Sequence, residues 1–462
     1  MSIFLSTDMG LRGVSRCFSV FQRYSNLQLS GMSYSCVRQW VLRLGYGLLQ
    51  QLPAKRTDWI YLMDYSIQLG HHRCLLILGI PQQDLSQHGY ELCHRQMQVL
   101  DIYISPTHKA EEVYQRLSYC VNRTGVPRQI ICDNGADVRK GSELLRQDYP
   151  EVIRSYDITH KIGLLLKKYL SKDERWVALQ ADLRALTHQV KQSDVAFLRP
   201  VTLSQKSRWL NIDKLIAYLS NIYRYQDKGD LQLIAKGYKI ANHKQIAAQL
   251  IGDSSNNNAN RKLRKELATT IFQSQKLPHG RPWQAIHQCS DQIEWIPAGQ
   301  QRFNDKFGIL EKHRTLVKEL ERVYLMLSQI KSVIKSKGLS LDTLQQVEGY
   351  YPAKSKAGWI VQLYQELNNY LVEEQAKVGP DPNPVLICSD VIESIFGKFK
   401  TKLKHSVGGL YQTVLMIPLF CQQLCHHSIK AILQQTSLQQ VQQWMFRMQG
   451  LSNLAKRRRA FC

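Results

Sequence analysis

The sequence lacks long apolar stretches and paired cysteine motifs, and each absence argues against a class of protein. No apolar run approaches the roughly 18 to 20 residues that a spanning helix needs, so we predict no membrane partner. The 11 cysteines are scattered, odd in number and form no C-x-x-C pair, which argues against a disulfide framework or a zinc ribbon. We therefore expect a folded protein of a reducing cytoplasm.

Negative charge is also scarce, and this shortage points to a class of partner. The chain of 462 residues has 37 Asp and Glu against 61 Lys and Arg, a net charge of +24. Such a field attracts polyanions and makes their binding sensitive to salt. No Gly-x-x-x-x-Gly-Lys loop is present, so the sequence gives no support for ATP dependence. Nucleic acid is the first partner to consider.

The N-terminal residues 1–52 are basic and are predicted to form a helix-turn-helix DNA-binding region. Residues 31–35 are expected to form a turn that ends in an N-capping serine, with a helix after it. Apolar residues recur in that helix at spacings of three and four: Val37, Trp40, Val41 and Leu44. Arg38, Gln39 and Arg43 would then face outward and contact DNA. The pattern also fits an ordinary amphipathic helix that packs on the next domain.

Residues 58–170 have the pattern of an α/β protein with a mixed sheet. Short loops separate three predicted strands, as in a meander, and helices alternate with two further strands. A helix between strands implies a parallel crossover. The predicted strands are Trp59–Met63, Cys74–Leu78, Val99–Ile104, Gln129–Cys132 and Val152–Tyr156.

Residues 171–385 are predicted to be almost entirely helical, as a large all-α insertion. Their clearest element runs from Phe307 to Lys337, where apolar residues recur at nearly heptad spacing. Such a stripe fits either a helix packed in a core or a dimerising coiled coil.

Two aspartates follow short apolar strands and suggest a metal site. Asp64 lies on the first predicted strand and Asp133 ends the fourth. If these strands are adjacent and parallel, the two side chains meet at one position of the sheet. Divalent cations such as Mg²⁺ prefer carboxylate oxygens, and two such ions can stabilise both oxygens of a phosphoryl transfer.

A third carboxylate is available in the predicted helix around Glu393. Its apolar positions are Ile392, Ile395, Phe396 and Phe399, whereas Glu393, Gly397 and Lys400 share an adjoining face. A carboxylate followed by a lysine on one face suits both metal and DNA phosphate. Alternatively, Asp390 caps the helix and Glu393 is its capping partner.

The motifs Tyr61–Ser66, Ile131–Asp137 and Ile392–Lys398 resemble those of the RNase H-like, or DDE, transposases of bacterial insertion sequences. The resemblance covers most of residues 58–170 and 386 to about 405. It implies an RNase H-like mixed sheet whose two Mg²⁺ or Mn²⁺ ions are held by Asp64, Asp133 and Glu393. The interval from Asp133 to Glu393 is longer than in many of these enzymes. Residues 171–385 would therefore be an insertion, and residues 386–462 would complete the core.

The resemblance also implies an activity and its partners. A DNA transposase cleaves strands at the ends of a mobile element and transfers them to a target, so both partners are double-stranded DNA. We expect a homodimer or larger assembly near the bacterial nucleoid. The alternatives are a catalytically silent, transposase-derived repressor or scaffold and a nuclease of the same fold without strand transfer.

Other chemically capable residues remain as competing or additional candidates. Asp137 is either a metal ligand or the N-terminal residue of a helix. His160 would contact the scissile phosphate or transfer a proton, unless it is structural. A helix containing Cys421 and Cys425, followed by two histidines, would offer zinc ligands on one face.

Basic residues near and beyond Glu393 are candidate phosphate contacts. They are Lys398, Lys400, Lys402 and Lys404 in the helix and the cluster Lys456–Arg459 near the last residue. A solvated run of charge is the alternative explanation.

Overall fold

In the residues that it describes, the computed structural model is a mixed α/β protein built on a five-stranded sheet with the order β3-β2-β1-β4-β5. Its strands are β1 (Trp59–Leu69), β2 (His72–Pro81), β3 (Gln98–Ser105), β4 (Gln129–Cys132) and β5 (Ile153–Tyr156). The first three strands pair antiparallel, whereas β1 with β4 and β4 with β5 are parallel. The predicted meander and parallel crossover are confirmed.

The structure describes residues 2–7, 9–25, 32–69, 72–107, 109–191, 198–201, 209, 211–228, 304–353, 355, 357–378, 383–403, 413–422, 424–449 and 453–461. Its helices from the N-terminus to β5 are α1 (Ser2–Ser6), α2 (Leu11–Tyr24), α3 (Tyr34–Gln50), α4 (Gln82–His88), α5 (Ala110–Thr124) and α6 (Ala136–Asp148). After β5 follow α7 (Ile158–Leu170), α8 (Glu174–Lys191), α9 (Ile212–Lys228), α10 (Arg314–Lys337), α11 (Leu341–Glu348) and α12 (Gly358–Ala376). The last helices are α13 (Asp390–Leu403), α14 (Ile417–Phe420), α15 (His426–Gln435), α16 (Leu438–Gln449) and α17 (Asn453–Phe461). Short 3-10 turns span His94–Gln96, Gly308–His313 and Val414–Met416.

The chain divides into two compact units. The first consists of Met1–Lys161, Ile330–Gly349 and Asn368–Cys462, and it contains the whole sheet. The second consists of Ile162–Gln329 and Tyr350–Leu367, and its described elements are helical. The extent of an insertion at 171–385 stays a prediction, and residues 229–303 of that range lie outside the described residues.

Alternation along the central strand β1 builds two apolar cores, one on each face of the sheet. Ile60 and Leu62 pack on what we call the α13 face, together with residues of α3, α13 and the segment 414–420. Tyr61 and Met63 pack on the opposite, α5–α6 face, with residues of α5 and α6. Successive side chains of a strand point to opposite faces. The position of a residue along β1 therefore decides which core it joins.

Helix α3 belongs to the core of the first unit. This agrees with the alternative interpretation of its sequence pattern, an amphipathic helix that packs on the rest of the fold. Ser33 caps the helix by accepting a hydrogen bond from the Cys36 main-chain N–H at 3.2 Å. From Val41 to Leu49 all residues are buried except Arg43 and Gly47. The helix packs against α2, α14, α15, α16 and β3. A helix-turn-helix is not shown.

The expected outward orientation of Arg43 is wrong. Its guanidinium Nε donates to the Thr436 main-chain oxygen at 2.6 Å, and Nη2 donates to the Leu433 oxygen. These oxygens lie at the end of α15, where helix carbonyls lack partners within the helix. The cation therefore caps α15 from inside the unit.

The predicted helix from Phe307 to Lys337 is a 3-10 turn followed by α10. In the second unit its buried stripe comprises Leu316, Leu320, Val323 and Leu327. The stripe favours the core-packing interpretation. No helix within the described ranges is both long and apolar enough to cross a bilayer.

Side chains of α12 and of the residue that follows it contact the outer edge of β5. Tyr370 donates its hydroxyl proton to the Tyr156 main-chain oxygen at 2.5 Å, and Lys377, just past the helix, donates to the Arg154 oxygen at 3.2 Å. An open strand edge invites pairing with other chains. These contacts occupy that edge.

Replacing Gly45 with alanine tests the close packing of α3. The added methyl group would overlap the Leu415 main-chain oxygen, so we expect a loss of about 1 to 3 kcal/mol of unfolding free energy in urea titrations. Gly397→Ala is the control in α13, since nothing lies within 4 Å of its added methyl group. That variant should match or exceed the wild type by up to about 1 kcal/mol. Equal stability of both variants would contradict the packing.

Candidate active site

The first two candidate carboxylates lie at the same level of neighbouring parallel strands. The last paired residues of β1 and β4 are Leu62 and Ile131. Asp64 and Asp133 each follow their paired residue by two positions, and Leu62 and Ile131 both pack on the α13 face. Alternation therefore assigns Asp64 to that face, and Asp133 leaves the end of β4 beside it.

A local turn shapes the exit of the chain after β4. The Asp133 carboxylate accepts a hydrogen bond from the Gly135 main-chain N–H at 3.1 Å, an arrangement typical of Asx turns. Arg154 of β5 donates to the Asn134 side-chain oxygen at 2.5 Å. The Asp133 carboxylate remains partly accessible at the start of α6.

Glu393 lies on a helix that covers the same face of the sheet. The predicted apolar stripe Ile392, Ile395, Phe396 and Phe399 is buried in the cluster that contains Ile60 and Leu62. Glu393, Gly397 and Lys400 are exposed, as their common helical face predicts. Helix α13 packs against β1. The fold thus returns the chain to the strand that carries Asp64.

A buried aspartate holds the segment of chain that leads back to the sheet just before α13. Asp157 directly follows β5 and has 0% of its surface exposed. Its Oδ2 accepts hydrogen bonds from the Ser389 main-chain N–H and hydroxyl, both at 2.6 Å, and its Oδ1 accepts from the His160 main-chain N–H at 2.9 Å. A buried carboxylate needs such donors. We call this arrangement the Asp157–Ser389 clasp.

Hydrogen bonds to the main chain of residues 385–387, just before Ser389, hold the same returning segment. The Gln129 side chain of β4 donates to the Leu386 oxygen at 2.6 Å, and the Ile158 N–H donates to the Ile387 oxygen at 2.9 Å. Val385 and Leu339 exchange two main-chain bonds of 2.8 Å. Consecutive residues before α13 are therefore tied to the sheet and its neighbours.

The first residue of α13 is an ion-paired carboxylate. Asp390 lies 2.7 Å from the Lys331 ammonium and accepts a 2.9 Å hydrogen bond from the Thr159 hydroxyl. Burial opposes ionisation, but the Lys331 charge and the bonds from Lys331 and Thr159 hold the pKa of Asp390 below its ordinary value. Asp390 thus anchors the helix start, while Glu393 stays at the surface.

The donor types at the site fit a hard divalent cation, although the side chains do not enclose one. Asp64 and Asp133 supply carboxylate oxygens, which Mg²⁺ and Mn²⁺ prefer. Among the described residues, no three His, Cys, Asp or Glu side chains are grouped closely enough to hold one ion. Mg²⁺ is commonly bound through one or two carboxylates, with water and substrate phosphate completing its ligands. Two aspartates at one sheet position meet that smaller requirement.

Asp137 is associated with the other face of the sheet. It lies in the first turn of α6, whose buried residues pack on the α5–α6 face. The pKa of Tyr65 is raised above its ordinary value, chiefly by burial and then by the nearby charges of Asp137 and Glu112. Tyr65 borders the α5–α6 core, whereas Asp64 belongs to the other side. Asp137 therefore serves as a natural comparison for Asp133.

His160 is placed at the carboxyl end of the parallel strands, in the first turn of α7. Its main-chain N–H contributes to the Asp157–Ser389 clasp at 2.9 Å. The imidazole is partly buried. Its proposed contact with a scissile phosphate, or its part in proton transfer, stays a prediction.

The candidate DNA-binding residues have different surroundings. Gln39 is exposed and Arg38 half-buried near the start of α3, and Lys398 and Lys400 are exposed on α13. The expectation for Lys402 is wrong, because its ammonium is buried and donates to the Phe4 and Thr7 main-chain oxygens. Alternate residues of a helix point in nearly opposite directions, so Lys400 and Lys402 cannot share a surface.

The remaining basic candidates are Lys404 and the cluster near the last residue. Lys404 lies outside the described residues. In the terminal cluster, Arg457, Arg458 and Arg459 are exposed on α17. Their contact with phosphate stays a prediction.

The expectation that one helix carries Cys421 and Cys425 on a common face is wrong. Helix α14 ends at Phe420, and α15 begins at His426 with Cys425 as its N-cap. Cys421 is buried, which raises the pKa of its thiol to about 12. The two sulfurs therefore do not have the common helical face on which the zinc hypothesis depended.

Ser389 and His94 were missed in the sequence, and so was the structural role of Asp157. His94 Nε2 lies 2.9 Å from the Ser394 hydroxyl, and its Nδ1 lies 3.2 Å from the Lys398 ammonium. Asp157 had one detectable signal, since it directly follows a predicted strand. For Ser389 and His94 no local pattern marks the partner.

Sequence comparisons identify no family for this chain, since no protein-family model and no curated protein matches it. Among solved structures, it is similar to a Drosophila P element transposase strand transfer complex, with a TM-score of 0.35 and 11% sequence identity. That similarity covers 89% of this chain and 91% of the other. At this TM-score it carries no argument about activity.

Replacing Ser389 with alanine tests the clasp. The variant loses a hydroxyl donor to a buried carboxylate, so we expect about 1.5 to 3 kcal/mol less unfolding free energy in urea titrations. Ser336→Ala is a matched control, because that exposed hydroxyl donates only to the Val333 oxygen of its own helix. A Ser389 variant as stable as the control would contradict the clasp.

Replacing Asp390 with asparagine tests the ion pair at the helix start. A carboxyl with a lowered folded pKa stabilises the protein above its unfolded pKa of about 3.9 and loses that contribution as pH falls towards the folded value. We expect the variant to lose less stability than the wild type between about pH 5 and pH 3. Urea titrations at several pH values measure this, with the exposed Asp342→Asn variant as control. If the unfolding free energies of Asp390→Asn and the wild type fell equally with pH, the stabilising role of the ionised Asp390 would be refuted.

Proposed function

We propose that the chain is a DNA transposase in which Asp64, Asp133 and Glu393 hold two Mg²⁺ or Mn²⁺ ions. The observation that carries the proposal is the shared sheet face: Asp64 and Asp133 follow paired positions of β1 and β4, and α13 packs on β1. Three carboxylates from distant parts of the sequence thus belong to one side of one sheet. The net charge of +24 supports a polyanionic substrate.

The roles of the residues follow from their positions. Asp64 would act as a ligand from within β1, and Asp133 as a ligand from the turn after β4. Glu393 approaches from an exposed helical face, where Lys398 and Lys400 are available to DNA phosphates. Bound divalent ions would activate the attacking oxygen and stabilise the leaving oxygen. The chain itself orients the ligands and fixes the DNA backbone beside them.

DNA recognition by the N-terminal region and assembly into a dimer are further parts of the proposal. Residues 9–57 contain no Asp or Glu, which favours contact with a polyanion. Gln39 and Arg38 near the start of α3 are the candidates that remain from the predicted recognition helix. Cleavage of two element ends in one event requires at least two copies of the chain.

A second candidate function is a catalytically silent DNA-binding protein derived from such an enzyme. It is favoured by the lack of a three-ligand group among the described residues. Both candidates predict binding of double-stranded DNA. They differ in metal binding and in strand cleavage.

Substitution of the aspartates separates the two candidates. With DNA from the borders of the gene and Mn²⁺, we expect wild-type cleavage and joining, and a loss of about a thousandfold or more in Asp64→Asn and Asp133→Asn. Metal ions contribute several kcal/mol to such transition states, and each 1.36 kcal/mol is about tenfold in rate. Mn²⁺ binding, followed by calorimetry, should weaken in the same variants and in Glu393→Gln. Asp137→Asn is the control and should retain both properties.

Each other outcome of this experiment has a definite meaning. DNA binding without cleavage or Mn²⁺ binding in the wild type would establish the silent protein instead. Cleavage without joining would indicate the nuclease. Loss of activity in Asp137→Asn but not in Asp133→Asn would reassign the second ligand.

A further inference from the structure

A short turn before β3 meets the exposed face of α13 beside Glu393. The 3-10 turn His94–Gln96 packs against α13. His94 contacts that helix through both ring nitrogens, with Nε2 2.9 Å from the Ser394 hydroxyl and Nδ1 3.2 Å from the Lys398 ammonium. Ser394 and Lys398 are one helical turn apart. One imidazole thus connects two exposed residues of the helix that carries Glu393.

The hydrogen-bond partners determine the protonation of His94. A lysine ammonium has donors and no acceptor, so Nδ1 must accept from Lys398. The proton of the neutral ring is then on Nε2, which donates to the Ser394 hydroxyl. A protonated ring would lose the bond to Lys398 and place two cations together. His94 in this structure is therefore a neutral tether that holds the Lys398 side chain.

Positive charge is concentrated at this contact. Arg95 and Lys398 are exposed, and neither forms an ion pair with any residue that the structure describes. Burial first, then the charges of Lys398 and Arg95, lower the pKa of His94. Arg95 is the next residue of the turn and Lys398 donates to the ring, so cations on two separate elements neighbour one neutral imidazole. An anion placed between them would be attracted by both.

We propose that Arg95 and Lys398 bind the phosphodiester backbone of double-stranded DNA, with His94 positioning Lys398. Arg95 would add a contact from the turn before β3 to those already proposed for α13. The inference rests on the proposed function for its substrate, since the contact lies next to the exposed Glu393. It assigns to His94 a positioning role and no part in the chemistry.

The salt dependence of DNA binding tests the two phosphate contacts. Fluorescence anisotropy with a short labelled duplex, over a series of NaCl concentrations, gives the slope of log K against log salt. Each lost phosphate contact reduces that slope by about 0.9. We expect this reduction in Arg95→Ala and in Lys398→Ala. Lys140→Ala is the control, because Lys140 is exposed on α6, which packs on the opposite face of the sheet.

Two His94 variants test the tether. Glutamine supplies both an acceptor for Lys398 and a donor for Ser394, so His94→Gln should keep the wild-type slope. Alanine supplies neither, so His94→Ala should lose most of the Lys398 contribution, and adding Lys398→Ala to it should then change little. Equal effects of the two His94 variants would overturn the positioning role. Unchanged slopes in Arg95→Ala and Lys398→Ala would overturn the phosphate site.

The binding experiment is independent of cleavage, so the two proposals fail separately. Wild-type binding with the expected slopes but no strand cleavage would retain this site and refute the transposase. Cleavage that depends on Asp64, with slopes unaffected by Arg95 or Lys398, would retain the transposase and refute this site. A wild type that does not bind DNA would refute both.

Discussion

The first unit depends on one buried carboxylate. Asp157, at the carboxyl end of β5, has no exposed surface and would be costly to bury without donors. Two of its hydrogen bonds come from Ser389, which is 232 positions later in the chain. Two of this carboxylate's hydrogen-bonding needs are therefore not met by the residues that form the sheet. In satisfying them, Ser389 brings the start of α13 to the sheet and, one turn later, Glu393 to the face that carries Asp64.

Much of the sheet and part of the site could be predicted from the sequence, because both depend on local patterns. Strands β2 and β4 contain short apolar runs that are buried on both faces, and Asp133 is recognisable because it ends such a run. The stripe Ile392, Ile395, Phe396 and Phe399 repeats at helical spacing, which fixed the buried side of α13 and left Glu393 outside. Periodicity reports which side of an element is buried, and these residues needed nothing more.

The residues that could not be predicted bind main-chain or side-chain atoms far away in the sequence. Arg43 and Lys402 have the spacing of solvent-facing cations, yet both donate to main-chain oxygens at helix ends roughly 390 and 400 positions away. Periodicity cannot distinguish an exposed cation from one whose charged end meets unpaired carbonyls, because only its apolar stem is tested by the pattern. His94 could not be predicted either, because its partners lie far away in the sequence, on α13. Tertiary contacts determine where these side chains lie, and the local sequence pattern carries no information about those contacts.

The covered edge of β5 has a consequence for the order in which the protein folds. Tyr370 and Lys377, which occupy that edge, are translated more than 200 residues after the strand itself. During synthesis the five strands are complete long before their edge is protected, and contacts of such sequence separation form slowly. A nascent chain that stops between α7 and α12 would carry an unprotected strand able to pair with its neighbours. Translation of the long middle segment is thus a period of aggregation risk, in which we expect the greatest need for chaperones.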